Sequence, residues 1–354
     1  MCPSADQLAT IEPQRVCIIK PSSMGDVVHA MPILSALRAR WPSAHLCWVV
    51  NRPFKDLLEG HRDLDEVIVY DRGRKGVDPS GIASMASLLS RLRRGRYDLT
   101  IDLQGLFRSA MMVAAAGSPI RVGMADAREG ARWFYTHRVD APRLGMHAVD
   151  RALKVARTFG VPAIEPTYNL PIGPDDHRWA ADRLAGLPRP RIVLNLGAQW
   201  QTKRWPPEHF ATVGRRAFEE LGAGLIAVGS TGDRPLVDAL KRELDPIPVV
   251  DLSGQTTLPR LAAVCLASDL VVSNDTGPLH LAVAVGARAI GIYTCTDPGL
   301  TGPYGPLAIS VRTGVHCAAS FLKSCGRLDC MAELRPARVW TAVVCQLQDT
   351  HGTG

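Results

Sequence analysis

Residues 270–305 read LVVSNDTGPLHLAVAVGARAIGIYTCTDPGLTGPYG. The parts make sense together only as a strand, a tight turn, a helix and a second strand. An apolar run at 270–272 ends at Ser273 and Asn274, and Asp275-Thr276-Gly277-Pro278 then supplies turn residues, a capping hydroxyl and a first-turn proline. The spacing predicts a helix over 278–285 that stops at Gly286 and leads into an apolar strand over 289–293, closing a βαβ unit of a parallel sheet. Such a turn gathers unpaired backbone N–H groups at the carboxyl edge of the sheet. The helix dipole also favours an anion there, so phosphate is the expected guest. Asp275 and His280 flank the turn, and a second polar loop, 294–305, leaves the next strand on the same edge.

The same alternation runs back through the chain. Strands are expected at 192–198, 224–229, 248–251 and 270–272, with helices at 176–185, 208–221, 233–243 and 258–267 between and before them. Ahead of a Pro-rich connector near 161–174, a first series shows strands at 15–20, 46–50, 67–70 and 98–105, separated by helical patterns. The segment 120–139, rich in Arg, Gly and aromatic residues, has little periodicity and reads as loops and short helices. The expectation is an α/β chain of two Rossmann-like parallel-sheet domains, 1–172 and 173–354, with the last helix able to pack back on the first domain. In the first domain RVCIIK runs into Pro21-Ser22-Ser23-Met24-Gly25-Asp26 and then a helix. Small residues there let a ligand approach the backbone, and Asp26 either serves that ligand or complements the helix N-terminus.

Composition narrows the class. At 354 residues with 46% apolar and 21% charged residues, the chain is long enough for two cores and has no window of ~18 apolar residues for a spanning helix. The start lacks a basic-then-apolar leader, so a cytoplasmic protein is expected, and nine scattered cysteines do not form an extracellular disulfide framework. Residues 1–160 hold twenty-three Lys and Arg against sixteen Asp and Glu, and the remainder holds eighteen of each, so the formal charge of +7 lies in the first half. That half is expected to face an acidic partner. Arg91, Arg93, Arg94 and Arg96 lack the aromatic interleaving of a nucleic-acid motif, and no nucleic acid is expected.

Five motifs in order, SSMGDVVHAMP, TIDLQGLFRSA, GAQWQTKRWPPEHFA, VVSNDTGPLHLAVAVG and YTCTDPGLTGPYG, resemble glycosyltransferase family 9, the ADP-heptose:lipopolysaccharide heptosyltransferases. The resemblance covers about 15 to beyond 330, and SSMGDV, IDLQGL and TDPGL are most similar to the type I enzymes. It implies a GT-B fold, its two domains facing a central cleft. It also implies inverting, metal-independent transfer from ADP-heptose to a Kdo-containing glycolipid, with no cofactor and peripheral contact with the cytoplasmic face of the inner membrane.

The resemblance makes Asp26 the general base. An inverting transfer needs such a group to take the acceptor proton, and needs cations or N–H donors for the departing diphosphate. With no DxD motif of the metal-holding kind, that second task falls to Lys203 and the turn at Thr276 and Gly277. Asp275 is assigned to the donor's sugar, and His280, Ser22, Ser23, Gly25 and Thr202 to donor contacts. Gln104, Arg108 and Arg128 are assigned to the acceptor. Asp233 stands where many relatives place a longer acid for the ribose. The tail departs from the type I pattern: Cys317, Cys325, Cys330 and His316 resemble a four-cysteine segment of other members, with Ser320 at the second cysteine position. Free thiols and a tetrahedral metal site both stay open there. Two other functions also fit the fold: a sugar-nucleotide epimerase, and a non-catalytic sugar-nucleotide or glycolipid binder.

Overall fold

The computed structural model describes residues 8–71 and 79–348. The chain folds as two compact units, Met1–Pro171 and Ile172–Gly354. Among the described residues the first carries β1 (Arg15–Ile19), β2 (His45–Asn51), β3 (Glu66–Tyr70), β4 (Leu99–Asp102), β5 (Ile120–Met124) and β6 (His137–Val139), in sheet order β3-β2-β1-β4-β5-β6. Every pairing is parallel; Cys17, for example, lies opposite Cys47 on one side and Thr100 on the other. Runs such as VCII and LCWVV suit this arrangement, because a parallel sheet covered by helices buries both faces of its strands.

The second unit repeats the plan with β7 (Arg191–Asn195), β8 (Gly224–Val228), β9 (Val249–Asp251), β10 (Leu270–Asn274), β11 (Ala289–Tyr293) and β12 (Ala308–Arg312). Its order is β12-β11-β10-β7-β8-β9, which is the order of the first unit when counted from β7. Each sheet therefore reverses direction once, between β1 and β4 and between β7 and β10. Loops leaving adjacent strands on opposite sides of such a reversal diverge and open a crevice at the carboxyl edge.

The helix Gly277–Ala284 and strand β11 fall within one residue of the pattern read from 270–305. The segment 120–139 requires a correction: it contributes two strands, β5 and β6, in place of loops and short helices alone. Its periodicity is masked because Arg121 sits in β5, where its guanidinium donates to the carbonyls of Ser118 and Phe134 at 2.9 Å each. Strand β12 carries no apolar run to mark it in the sequence, since only Val311 of AISVR is buried. The closing helix Pro336–Gln348 builds Val339, Trp340, Ala342 and Val343 into the core of the second unit. Among the described residues no helix is long and apolar enough to cross a membrane.

Gly123 in β5 has no room for a side chain, because an added Cβ would lie 2.3 Å from the Tyr135 ring, whose hydroxyl donates to the buried Asp102 at 2.7 Å. Gly123→Ala should therefore lower stability by about 1–3 kcal/mol, read as a lower urea midpoint. An unchanged midpoint would mean that Tyr135 can leave its acceptor freely.

Candidate functional site

The first crevice is built where β1 and β4 end. Helix Met24–Ala30 begins one turn after β1, and Asp26 sits at its third position. Asp26 Oδ2 accepts from the Ser23 amide at 2.9 Å and the Ser23 hydroxyl at 2.7 Å, so the carboxylate does complement the helix start. That commits one oxygen only. Oδ1 lies 3.7 Å from the ammonium of Lys20, the residue that follows β1. Burial works against ionisation, but the Lys20 charge, the Ser23 donors and His29 outweigh it and lower the Asp26 carboxyl to about 2. Solvent reaches 46% of the Asp26 side chain, so Lys20 and Ser23 rather than burial decide the outcome.

Lys20 is itself buried and fixed from the β4 side. Its ammonium donates to the Leu103 carbonyl at 3.1 Å, while the amide at the other end of that peptide unit, Gln104 N–H, donates to Asp102 Oδ1 at 2.8 Å. One peptide group thus bridges an anion and a cation with its dipole aligned between them. Asp102 is fully buried and also accepts from Gly105 N–H at 3.1 Å, the Ser109 hydroxyl at 2.8 Å and the Tyr135 hydroxyl at 2.7 Å. Burial still pushes its carboxyl upward against these donors.

A recess of about 560 Å³, solvent-facing space included, opens beside these groups and is lined by Lys20, Asp26, Gln104, Asp126, Arg143 and Arg151 among others. Gln104, assigned to the acceptor, is there, and among the described residues its buried Oε1 has no hydrogen-bond partner. Arg108 and Arg128 are exposed and are not among the lining residues. Two cations that the motifs did not single out take the wall instead. Arg151 is held by two bonds to Asp126, at 2.6 and 2.8 Å, and Arg143 follows from the preceding loop. Asp63 and Asp65, the one Asp-x-Asp in this unit, are engaged elsewhere: Asp63 accepts from Ser35 and Asn169, and Asp65 from Arg38 and Leu46 N–H.

The second crevice lies at the ends of β7 and β10. Asn274 staples the two strands' loops: its Oδ1 accepts from Trp205 N–H at 3.1 Å and its Nδ2 donates to the Leu196 carbonyl at 2.8 Å. This brings Lys203, on the loop after β7, to Asp275, on the strand end of β10. Lys203 Nζ lies 2.5 Å from Asp275 Oδ2, which also accepts from the Thr296 hydroxyl at 2.6 Å, and His280 Nε2 stands 3.4 Å from Oδ1. The Asp275 side chain is only 4% exposed. Burial would raise its carboxyl, but the His280 hydrogen bond and the Lys203 and His280 charges hold it well below the usual carboxylate range. The Lys203 ammonium also sits 4.7 Å over the Trp200 ring.

Thr276 is the cap of helix Gly277–Ala284, and its side chain makes no capping bond. Thr202, assigned to the donor, is buried, and its hydroxyl donates to the Leu322 carbonyl at 2.6 Å, holding the tail against the loop of Lys203. Asp233 closes the cap of the turn at Thr231 by accepting from Ser230 N–H at 2.8 Å and its hydroxyl at 2.6 Å. Ser22 lies in the loop between β1 and Asp26, and Gly25 lies inside the helix, between Met24 and Asp26.

In the tail, His316, Cys317, Ser320, Cys325 and Cys330 line one pocket with Cys295, a thiol that the tail spacing alone does not reveal. Among the described residues no group of three or more His, Cys, Asp or Glu is placed to hold a metal ion.

The family model described as glycosyltransferase family 9 (heptosyltransferase) matches residues 85–330. A lipopolysaccharide core heptosyltransferase of Haemophilus influenzae is 28% identical over 305 residues, 85% of this chain and 84% of that protein. Lipopolysaccharide heptosyltransferase 1 of Escherichia coli K12 is 30% identical over 301 residues, 82% of this chain and 91% of that protein. The solved structure of E. coli heptosyltransferase WaaC with ADP-2-deoxy-2-fluoro heptose superimposes with a TM-score of 0.73 at 26% identity, covering 93% of this chain and 99% of that one. The α/β fold of two Rossmann-like units is accordingly of the GT-B class.

Two titrations follow from the geometry. Lys20→Met removes the cation beside Asp26, so the Asp26 carboxyl should rise from about 2 toward its ordinary 3.8, measured by NMR of the carboxyl carbon. An unmoved titration would assign the depression to Ser23 and His29. Asp275 is also depressed, so the stability it lends is fully present above its unfolded value of about 3.8 and is lost as pH falls through the depressed folded value. Asp275→Asn should therefore flatten the acid dependence of unfolding between those two values, read as urea midpoints across that range.

Proposed function

The chain belongs to glycosyltransferase family 9, and from that premise we propose that it transfers a heptose, with inversion, from ADP-heptose to a Kdo-containing, anionic inner-core glycolipid. The observation that carries the reading is Asp26, a carboxylate with one oxygen anchored on Ser23 and the other left toward a recess lined by Lys20, Arg143 and Arg151. A fixed, ionised carboxylate beside cations suits an acidic acceptor whose hydroxyl must lose a proton.

In the reaction the acceptor oxygen forms a bond to the anomeric carbon from the face opposite the diphosphate. Its proton passes to Asp26 Oδ1. The bond from the anomeric carbon to the phosphate oxygen breaks, and ADP departs with the electron pair. A carboxyl lowered to about 2 is a weak base toward a free alcohol. It becomes competent as the attacking oxygen turns acidic in the transition state, which places proton transfer late. Lys203, the Thr276 hydroxyl and the amides of the helix Gly277–Ala284 receive the diphosphate charge, and buried Asp275 holds Lys203 and His280 in place for it.

Asp26→Ala should lower kcat by about 10²- to 10⁴-fold while calorimetric donor affinity stays within about threefold. Unchanged transfer would remove the base role. Lys203→Ala should weaken ADP binding roughly 10- to 100-fold, as loss of a charge-assisted contact predicts. A donor screen of ADP-heptose against other ADP-, UDP- and GDP-sugars tests the substrate, and turnover of a UDP- or GDP-sugar in preference to ADP-heptose would overturn it.

A further inference from the structure

One surface of the first unit is built in a way that the transfer chemistry does not use. Helix Phe107–Ala116 and the turn Ala131–Phe134 pack together and leave large apolar groups in water: Trp133 is 67% exposed, Phe107 49% and Met111 37%. Phe107 and Phe134 meet edge to face with ring centroids 6.2 Å apart, which joins the helix to the turn that carries Trp133 at this surface.

The patch is also cationic. The guanidinium carbons of Arg132 and Arg138 stand 4.9 and 5.1 Å from the Trp133 ring centroid, and Arg138 Nε donates to the Arg132 carbonyl at 3.0 Å, which fixes the cluster. An exposed cation–π contact is worth about 1 kcal/mol or less, too little to keep so much of an indole in water by itself. An indole flanked by arginines matches the boundary of an anionic lipid layer, where the ring sits at headgroup level and the guanidinium groups meet phosphates.

The patch adjoins the recess of Asp26. Arg128 N–H donates to the Gly105 carbonyl at 2.9 Å, tying the segment that carries Trp133 to the loop that carries Gln104. We propose that Trp133, Phe107, Arg132 and Arg138 form a docking surface for an anionic lipid bilayer. It holds the membrane beside the recess, so that a lipid-anchored acceptor reaches Asp26 while its acyl chains stay in the bilayer. The second part of this statement rests on the glycolipid acceptor proposed above; the first does not.

The test uses full-length protein and sedimentation with vesicles of phosphatidylcholine, with and without phosphatidylglycerol. Wild type should bind the anionic vesicles, weakening as salt rises, with Trp emission quenched by brominated lipid. Arg132→Gln/Arg138→Gln should lower vesicle partitioning by about thirtyfold. Trp133→Phe should remove most of the quenching, with circular dichroism unchanged in both variants. Transfer to a water-soluble saccharide acceptor should match wild type, while transfer to acceptor in vesicles should fall with binding. No binding to anionic vesicles at low salt, or binding that neither variant changes, would overturn the surface. So would variants that bind vesicles normally but lose transfer to the soluble acceptor, since the patch would then serve the acceptor sugar or a protein. If wild type binds vesicles through the patch but transfers no heptose, the surface stands and the proposed reaction fails.

Discussion

Right-handed crossovers on a parallel sheet force the connections leaving its two central strands to opposite faces, and this is the constraint on which both sites depend. Between β1 and β4, and again between β7 and β10, neighbouring strands send their chains apart and leave a crevice at the carboxyl edge. Polar groups can stand there at the end of a rigid strand with helices on either side. Asp102 and Asn274 end their strands, and Lys20 and Asp275 each follow one directly. Asp102 is held by ladders to β1 and β5 and Asn274 by a ladder to β11, so the residues at these strand ends start from fixed backbone.

What is placed in the crevices is charge under restraint. In the first, a single peptide unit between Asp102 and Lys20 carries orientation from a fully buried carboxylate to the ammonium beside Asp26. In the second, Asp275 gathers Lys203, Thr296 and His280 at a depth where an unpaired carboxylate would be costly. The two aspartates differ in exposure: solvent reaches 46% of the Asp26 side chain but only 4% of that of Asp275, which is closed in among its partners.

Much of this was legible before any coordinates. The turn at 275–278 carries its own capping and breaking signals, and buried parallel strands show as apolar runs, so the strand and helix alternation followed from local pattern. Asp26, Lys203, Asp275 and His280 lie within short motifs that locate them. The lining of the recess beside Asp26 is less legible: Gln104 lies in a motif and lines it, Arg108 and Arg128 lie in or near motifs and do not, and Arg143 and Arg151 do not advertise themselves. Arg151 lies on a helical face next to Ala152, and nothing local shows that Asp126, twenty-five residues earlier, will fasten it toward the recess.

The sequence by itself determined the α/β class, the two parallel sheets and the phosphate-friendly helix start, because each depends on residues close together in the chain. Tertiary structure alone decided which oxygen of Asp26 faces Lys20, which cations line the recess beside it and that Asp275 is buried with Lys203. It also brought Cys295 to the tail cysteines, set Arg132 and Arg138 against Trp133, and joined Phe107 to Phe134. The physical reason is range. Capping, periodicity and turn chemistry act over a few residues, whereas burial and charge pairing depend on which distant strands and loops the sheet order sets side by side.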